Sequence, residues 1–310
     1  MDPAIVVFGL GIGLLVGMTG MGGGSLMTPA LILIFGIKPV TAIGTDIFYS
    51  AVTKTAGAWR HLRLGTVNLS LAAWMALGSV PAAVLGVWVI DILKRSYGDD
   101  LDAVVQGVLG ATLVVVGVAT LIRALFLTRL IQERDSFAIE RRHKIAAIGI
   151  GVTTGFVIGI TSAGSGTLIA IMLIAGFRLA PRKVVGTDIF HAAILLWAAG
   201  LAHWVGGNVD FSLAANILVG SVPGILIGSQ LSTKAPLGFL RGALGVVLLL
   251  SGVALAVKGD HAVIPFVFGV AGVAFAVLMG LQITRSEGAS DSEPDERQGN
   301  PAAQEGGPTA

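Results

Sequence analysis

Two runs of small residues, two aspartates and one lysine are the groups in this chain that could do chemistry in an apolar setting. The runs are Thr19-Gly20-Met21-Gly22-Gly23-Gly24-Ser25 and Thr161-Ser162-Ala163-Gly164-Ser165-Gly166-Thr167. Each separates two short apolar stretches, at 4–18 and 25–37 in the first case and at 145–160 and 166–177 in the second. A break that leads into a short helix aims unpaired N–H groups and the positive end of the helix dipole at whatever lies in front of it, and glycine lets a ligand come close to the backbone. That is chemistry for holding an anion. The candidate ligands are Thr19, Gly22, Gly23, Gly24 and Ser25 from the first run and Thr161, Ser162, Gly164, Ser165, Gly166 and Thr167 from the second. A nucleotide loop is a poor alternative, because Gly20 to Ser25 lacks the Lys-Ser/Thr of a P-loop and no strand precedes it. Gly9 with Gly13, and Gly151 with Gly155, stand four residues apart and read as positions where helices pack closely.

Asp46 and Asp188 sit in the strings Gly44-Thr45-Asp46-Ile47-Phe48 and Gly186-Thr187-Asp188-Ile189-Phe190, near the start of apolar stretches. An ionisable group in such a stretch is costly and points to a site, although Thr-Asp near a helix start could equally cap free amides. Lys54 lies mid-run between Thr53 and Thr55. It could bind an anion or neutralise an aspartate, and snorkelling to the interface is the bland alternative. His191 could relay protons, since imidazole titrates near neutral pH, so Asp46, Asp188 and His191 form the candidate coupling set. His61 and His203 read as ending the next helix in each half, at the interface. Pro81 and Pro223 remove a helical hydrogen bond and kink or start their helices. Asp99-Asp100-Leu101-Asp102 lacks metal-ligand spacing and reads as a solvated loop.

These groups are set in a chain that is mostly apolar. Charged residues make up 12% of its 310 residues, against about a quarter in globular proteins, and the mean hydropathy is +0.87. The expectation is an all-α integral membrane protein in contact with the lipid bilayer. The long apolar runs exclude a porin-like barrel, whose strands alternate. With no cysteine there is no disulfide, thiolate metal site or thiol catalysis, and no cofactor is called for. The basic residues fall in short segments between apolar runs, where topology accounts for them, so nucleic acid is not an expected partner. Asp2 precedes the first apolar run and Lys38 is the first basic residue, so the start of the chain does not read as a cleavable signal peptide.

The chain repeats itself at an offset of 142 residues. That offset places the two Gly-Thr-Asp-Ile-Phe strings on each other, and likewise Gly22 and Gly24 on Gly164 and Gly166, His61 on His203, and Gly78-Ser79-Val80-Pro81 on Gly220-Ser221-Val222-Pro223. Eleven of 22 positions are identical between 65–86 and 207–228. If each broken pair returns to its starting side and three crossings follow, the halves are inverted, and 15 Lys and Arg fall inside with four outside. If each broken pair makes one crossing, the halves are parallel and the split is nine to ten. The positive-inside rule favours inversion. The expected architecture is therefore two inverted repeats, each a broken or re-entrant helical pair plus three transmembrane helices, with one extra C-terminal transmembrane helix. Residues 1–128 form the first repeat, 129–144 a cytoplasmic linker, 145–257 the second repeat, 258–283 the extra helix, and 284–310 a disordered cytoplasmic tail of polar composition.

With its duplication, its Gly-Met-Gly-Gly-Gly-Ser break and its Gly-Thr-Asp and Gly-Ser-Val-Pro strings, the chain resembles the sulfite exporter TauE/SafE family of membrane permeases over roughly residues 4–257. The resemblance implies movement of sulfite, thiosulfate, sulfoacetate or another organosulfonate across the bacterial cytoplasmic membrane, coupled to an ion gradient. The helix at 262–283 and its tail lie outside the duplicated core. Two alternatives stand beside a sulfur-anion permease. A membrane-embedded enzyme would need clustered histidines or acids, which five scattered histidines do not supply. A permease for a non-sulfur organic anion would use the same architecture. A homo-oligomer is left open.

Overall fold

Prolines and breaks in the apolar pattern set the helix boundaries. The computed structural model describes residues 2–19, 23–98, 101–125, 140–231 and 237–259. Every element among them is an α-helix: α1 (Pro3–Thr19), α2 (Gly24–Leu33), α3 (Pro39–Arg63), α4 (Leu69–Tyr97), α5 (Leu101–Leu125), α6 (Arg141–Thr161), α7 (Leu168–Phe177), α8 (Pro181–Val205), α9 (Phe211–Leu231) and α10 (Leu237–Lys258). Gly22, linker residues 129–139, the helix expected at 262–283 and the tail lie outside the described residues. α3 and α8 are both 25 residues long and both open on proline, whose missing N–H is harmless at that position. α4, α5, α6, α8 and α9 are long and apolar enough to cross a membrane. The chain is a multi-pass integral membrane protein. α3 matches α8 in length but carries Asp46, Lys54, Arg60 and Arg63, and it is not one of the five.

Each broken pair joins a longer helix to a ten-residue one, α1 to α2 and α6 to α7. Ten residues rise about 15 Å, half of a ~30 Å hydrocarbon core, so α2 and α7 are too short to cross. Eight of the ten residues of α2 are buried. Pro81 and Pro223 fall inside α4 and α9.

The glycine stripes pack helices across the halves. α1 lies along α9, with Gly9 against Ile217, Gly13 against Ser221 and Gly17 against Ile225. α6 lies along α4 in the matching way, with Gly151 against Met75, Gly155 against Ser79 and Gly159 against Ala83. Every one of these contacts maps onto its partner at the 142-residue offset. α3 and α8 run antiparallel: Gly57, late in α3, meets Ile189, early in α8, and Gly200, late in α8, meets Phe48, early in α3. α5 and α10 also run antiparallel, with Gly110 against Gly252, Gly117 against Gly245, and Gly259 against Gly107.

The loops repeat the pattern. Thr187 Oγ1 accepts from the Asn68 backbone N–H at 2.9 Å, and Thr45 Oγ1 accepts from the Asp210 backbone N–H at 3.0 Å. Asn68 and Asp210 in turn accept from Leu71 and Leu213 one turn on, which caps α4 and α9. A side chain on Gly44 would fall on the Asn208 carbonyl, and one on Gly186 on the Thr66 carbonyl. The Gly-Thr of each Gly-Thr-Asp string thus docks one half against the loop of the other.

At Gly13 and Gly155 a Cβ would land on the backbone of the neighbouring helix. Gly13→Val and Gly155→Val are each expected to destabilise the protein by about 1–3 kcal/mol or more. Gly11→Val, at an exposed position with nothing within 4 Å, is expected to be neutral. Thermal unfolding midpoints in detergent measure all three.

Candidate functional site

The two breaks meet. The Gly164 backbone N–H donates to Ser25 Oγ at 3.3 Å, so the second break is tied to the first residues of α2. A side chain on Gly24 would collide with the carbonyl of Ser162 and come within 3.2 Å of Asp46 Oδ2. In the second break the backbone enters the left-handed region at Ser162 (φ 59°), Gly164 (φ 104°) and Gly166 (φ 98°). The glycines suit those angles and serine does not, so Ser162 is held there by its surroundings.

What holds it is Asp46. The Ser162 hydroxyl donates to Asp46 Oδ2 at 2.6 Å, the Thr28 hydroxyl donates to the same oxygen at 2.6 Å, and the Ser50 hydroxyl donates to Oδ1 at 3.4 Å. Asp46 is fully buried. Three segments converge on it: α2 through Thr28, α3 through Ser50, and the end of α6 through Ser162. Short hydrogen bonds to a carboxylate are among the stronger ones in proteins. The capping reading of the aspartates is overturned. The residues before α3 and α8 are Lys38 and Ala180, and Asp46 and Asp188 lie two turns further in.

Asp188, 3% exposed, is buried in the same way. The positions that would supply its three hydroxyls by the duplication are Ala170, Ala192 and Gly20, so the two carboxylates have diverged. Lys54 lies within electrostatic reach of both. Its Nζ is buried and has no hydrogen-bond partner among the described residues, so it does not snorkel. His191 is fully buried and its Nε2 pairs with Ser79 Oγ at 2.8 Å.

The remaining candidates divide. Gly23 precedes α2 and sits close to the Tyr49 ring, and Ser165 is buried. Thr19 and Thr161 donate their hydroxyls into their own helices, to Leu15 and Val157, and Thr161 Oγ1 also accepts from the Ala163 N–H. Thr167 precedes α7 and accepts from Thr120 at 3.4 Å. His203 departs from expectation. It is fully buried, with Nε2 on the Gly159 carbonyl at 2.9 Å, because α8 packs its last turn against α6. His61 bonds Thr66. Among the described residues no cluster of His, Asp and Glu could hold a metal ion.

Thr28, Ser50, Ser79 and Ser221 carry weight that their sequence context did not announce. Ser50 follows Asp46 by four residues, a helical neighbour spacing that could have been read. Ser79 and Ser221 lie in the repeated Gly-Ser-Val-Pro strings, where proline drew the attention. Thr28 has no local signal.

Residues 5–255 match the family model described as Sulfite exporter TauE/SafE. The chain is 39% identical to the probable membrane transporter protein YjnA of Bacillus subtilis, covering 82% of this chain and 100% of that one. It is 27% identical to the probable membrane transporter protein YdhB of the same species, covering 81% and 98%. It is 24% identical to the probable membrane transporter protein MJ0441 of Methanocaldococcus jannaschii, covering 80% and 95%. No solved structure matches the chain.

The geometry at Asp46 ranks its donors. Thr28→Val and Ser162→Ala each remove a 2.6 Å bond to a buried carboxylate and are expected to lower stability by about 1.5–3 kcal/mol. Ser50→Ala, which removes a 3.4 Å contact, is expected to cost clearly less. Unfolding midpoints of the three purified variants give the order.

Proposed function

Because this membrane transporter belongs to the sulfite exporter TauE/SafE family, we propose that it moves small sulfur-containing oxyanions across the cytoplasmic membrane by alternating access, driven by an ion gradient. Sulfite, thiosulfate, sulfoacetate and other organosulfonates are the substrate class. The observation that carries this reading is the meeting of the two breaks, Ser25 with Gly164 and Ser162 with Asp46. Paired broken helices at corresponding positions of two repeats are the signature of a transporter's central site, and their amides and hydroxyls suit an anion. Lys54 adds a cation within electrostatic reach of both aspartates. No nucleotide motif supplies an alternative energy source. The gradient, and not the chain, then sets the direction of movement.

The halves are inverted in this proposal. Antiparallel packing of α3 on α8 and of α5 on α10 supports it, because helices related by the repeat run in opposite directions only if the relating axis lies across them. The basic-residue split supports it independently. The N-terminus then faces outside, and the linker and C-terminal tail face the cytoplasm.

The carboxylates take different tasks. A bound anion is repelled by two ionised carboxylates in a poorly hydrated site. Asp46 is the fixed one, since its charge is held by Thr28, Ser50 and Ser162. Asp188, whose matching positions are Ala170, Ala192 and Gly20, takes up the coupling proton, with His191 one turn away.

Two experiments test these statements. The chain has no cysteine, so Ser136→Cys and Ser290→Cys can each be labelled with an impermeant reagent. Both are expected to react from the cytoplasmic side only, and reaction from opposite sides would rule out the inverted topology. In liposomes, labelled sulfur oxyanions are expected to be taken up by the wild type, while Gly24→Val and Gly166→Val insert but lose flux. Asp188→Asn is expected to lose accumulation driven by a pH gradient and keep exchange at equal pH, whereas Asp46→Asn fails in folding or binding. An Asp188→Asn protein that still accumulates substrate against its gradient would remove the proton from that residue.

A further inference from the structure

α4 and α8 run side by side in the same direction. Ser79 pairs with His191 part-way along them, and at their ends a side chain on Gly206 would stand 3.1 Å from both carboxylate oxygens of Asp91. Along their last turns lies a groove of about 770 Å³. Its walls are apolar, with Val84 and Trp88 from α4 and Ala198, Leu201, Ala202 and Val205 from α8. Val84, Trp88, Leu201 and Val205 are exposed, and both helices are long and apolar enough to cross a membrane. The groove therefore opens toward lipid.

One end of it is charged. Asp91, Lys94 and Arg95 line that end, and the two basic residues are exposed in the last turn of α4. Asn208 stands between the carboxylate and the ammonium: its Nδ2 donates to Asp91 Oδ1 at 3.4 Å, and its Oδ1 accepts from Lys94 Nζ at 3.4 Å. Among the described residues the one ion pair joins Arg142 to Glu140, which leaves the Arg95 guanidinium without a carboxylate partner. Two cations face one carboxylate, and the balance is positive.

The length of the groove matches one leaflet. The ten positions from Val84 to Lys94 rise about 15 Å, half of a ~30 Å hydrocarbon core, so the cations stand at the depth of the headgroups. The duplication does not ask for them. At the 142-residue offset Trp88, Lys94 and Arg95 are answered by Gln230, Pro236 and Leu237. Lys94 and Arg95 are also two of the four basic residues that the inverted arrangement leaves outside, so the positive-inside rule does not account for them either.

We propose that this groove binds an anionic phospholipid, with an acyl chain along the apolar walls and the phosphate on Lys94 and Arg95. Both side chains form charge-assisted hydrogen bonds to phosphate. A soluble anion would use the cations and leave the walls idle, whereas a second copy of the chain would cover the walls and strand two cations in an apolar interface. A lipid uses both ends. α4 precedes the linker and α8 follows it, so the lipid spans the two halves of the chain. The inference stands apart from the transport reading.

The test is native mass spectrometry of the purified full-length protein, released from detergent after incubation with phosphatidylglycerol or phosphatidylcholine carrying the same acyl chains. The wild type is expected to retain phosphatidylglycerol about tenfold or more better than phosphatidylcholine, from the attraction of two basic side chains, and to unfold at a higher temperature in its presence. Replacing both cations, Lys94→Gln with Arg95→Gln, is expected to abolish that preference. Ala202→Phe fills the apolar part, keeps the cations and is expected to weaken retention of both lipids, with Ala198→Phe as the second filling variant should the first fail to fold. Inorganic phosphate in large excess is expected to leave the lipid bound. Equal retention of the two lipids by the wild type, or retention that neither kind of variant changes, would overturn the proposal. Displacement by inorganic phosphate would make the groove a soluble anion's site. A filling variant that turns a dimer into a monomer while lipid retention stays unchanged would make it an interface between copies, and the lipid site would be wrong.

Discussion

A helix that stops halfway through a bilayer exposes backbone groups that lipid cannot satisfy, and much of this architecture follows from that constraint. The protein breaks two helices, so it must bring partners to both breaks. It does so by setting one against the other. Ser25 accepts from the amide of Gly164, and Ser162, in a backbone conformation unfavourable to serine, is held by the carboxylate of Asp46. Asp46 needs donors because it is fully buried, and Thr28 and Ser50 complete the set. The Ser25–Gly164 and Ser162–Asp46 bonds each join a residue of the second half to one of the first.

The same logic separates what could be read from the sequence from what could not. The helix breaks and the packing glycines show as interruptions and regular spacings in the sequence, and the helices follow both. Gly9, Gly13, Gly151 and Gly155 lie at helix crossings as their spacing indicates. Proline at the head of α3 and α8 fixed those boundaries more sharply than the apolar pattern did. Single hydroxyls were invisible for a different reason. Thr28 is 18 residues from Asp46 and Ser162 is 116 residues away, and no local pattern signals a partner reached through space. The cap reading of the aspartates fails because Pro39 and Pro181 open the helices, and Asp46 and Asp188 lie two turns inside them. His203 stands at a helix end, a place that reads as interfacial in the sequence. Its helix end is covered by α6.

Asymmetry within the repeat carries the chemical information. Packing contacts recur faithfully in both halves, from the glycine stripes to the Thr45 and Thr187 hydrogen bonds. Residues around the carboxylates do not: Thr28, Ser50 and Lys54 are answered by Ala170, Ala192 and Leu196, and Tyr49 by His191. A duplicated scaffold preserves what both halves need to pack and is free to vary what a single ligand touches once.

The crossed pairing of α1 with α9 and α6 with α4 bears on how such a protein is made. During synthesis α1 emerges about two hundred residues before its packing partner. The ribosome therefore delivers a helix with an unfilled glycine groove, and the first half must wait in the bilayer for the second. The early helix and the late one are thus committed to each other across most of the length of the chain, and the insertion of the first half is completed only by the second.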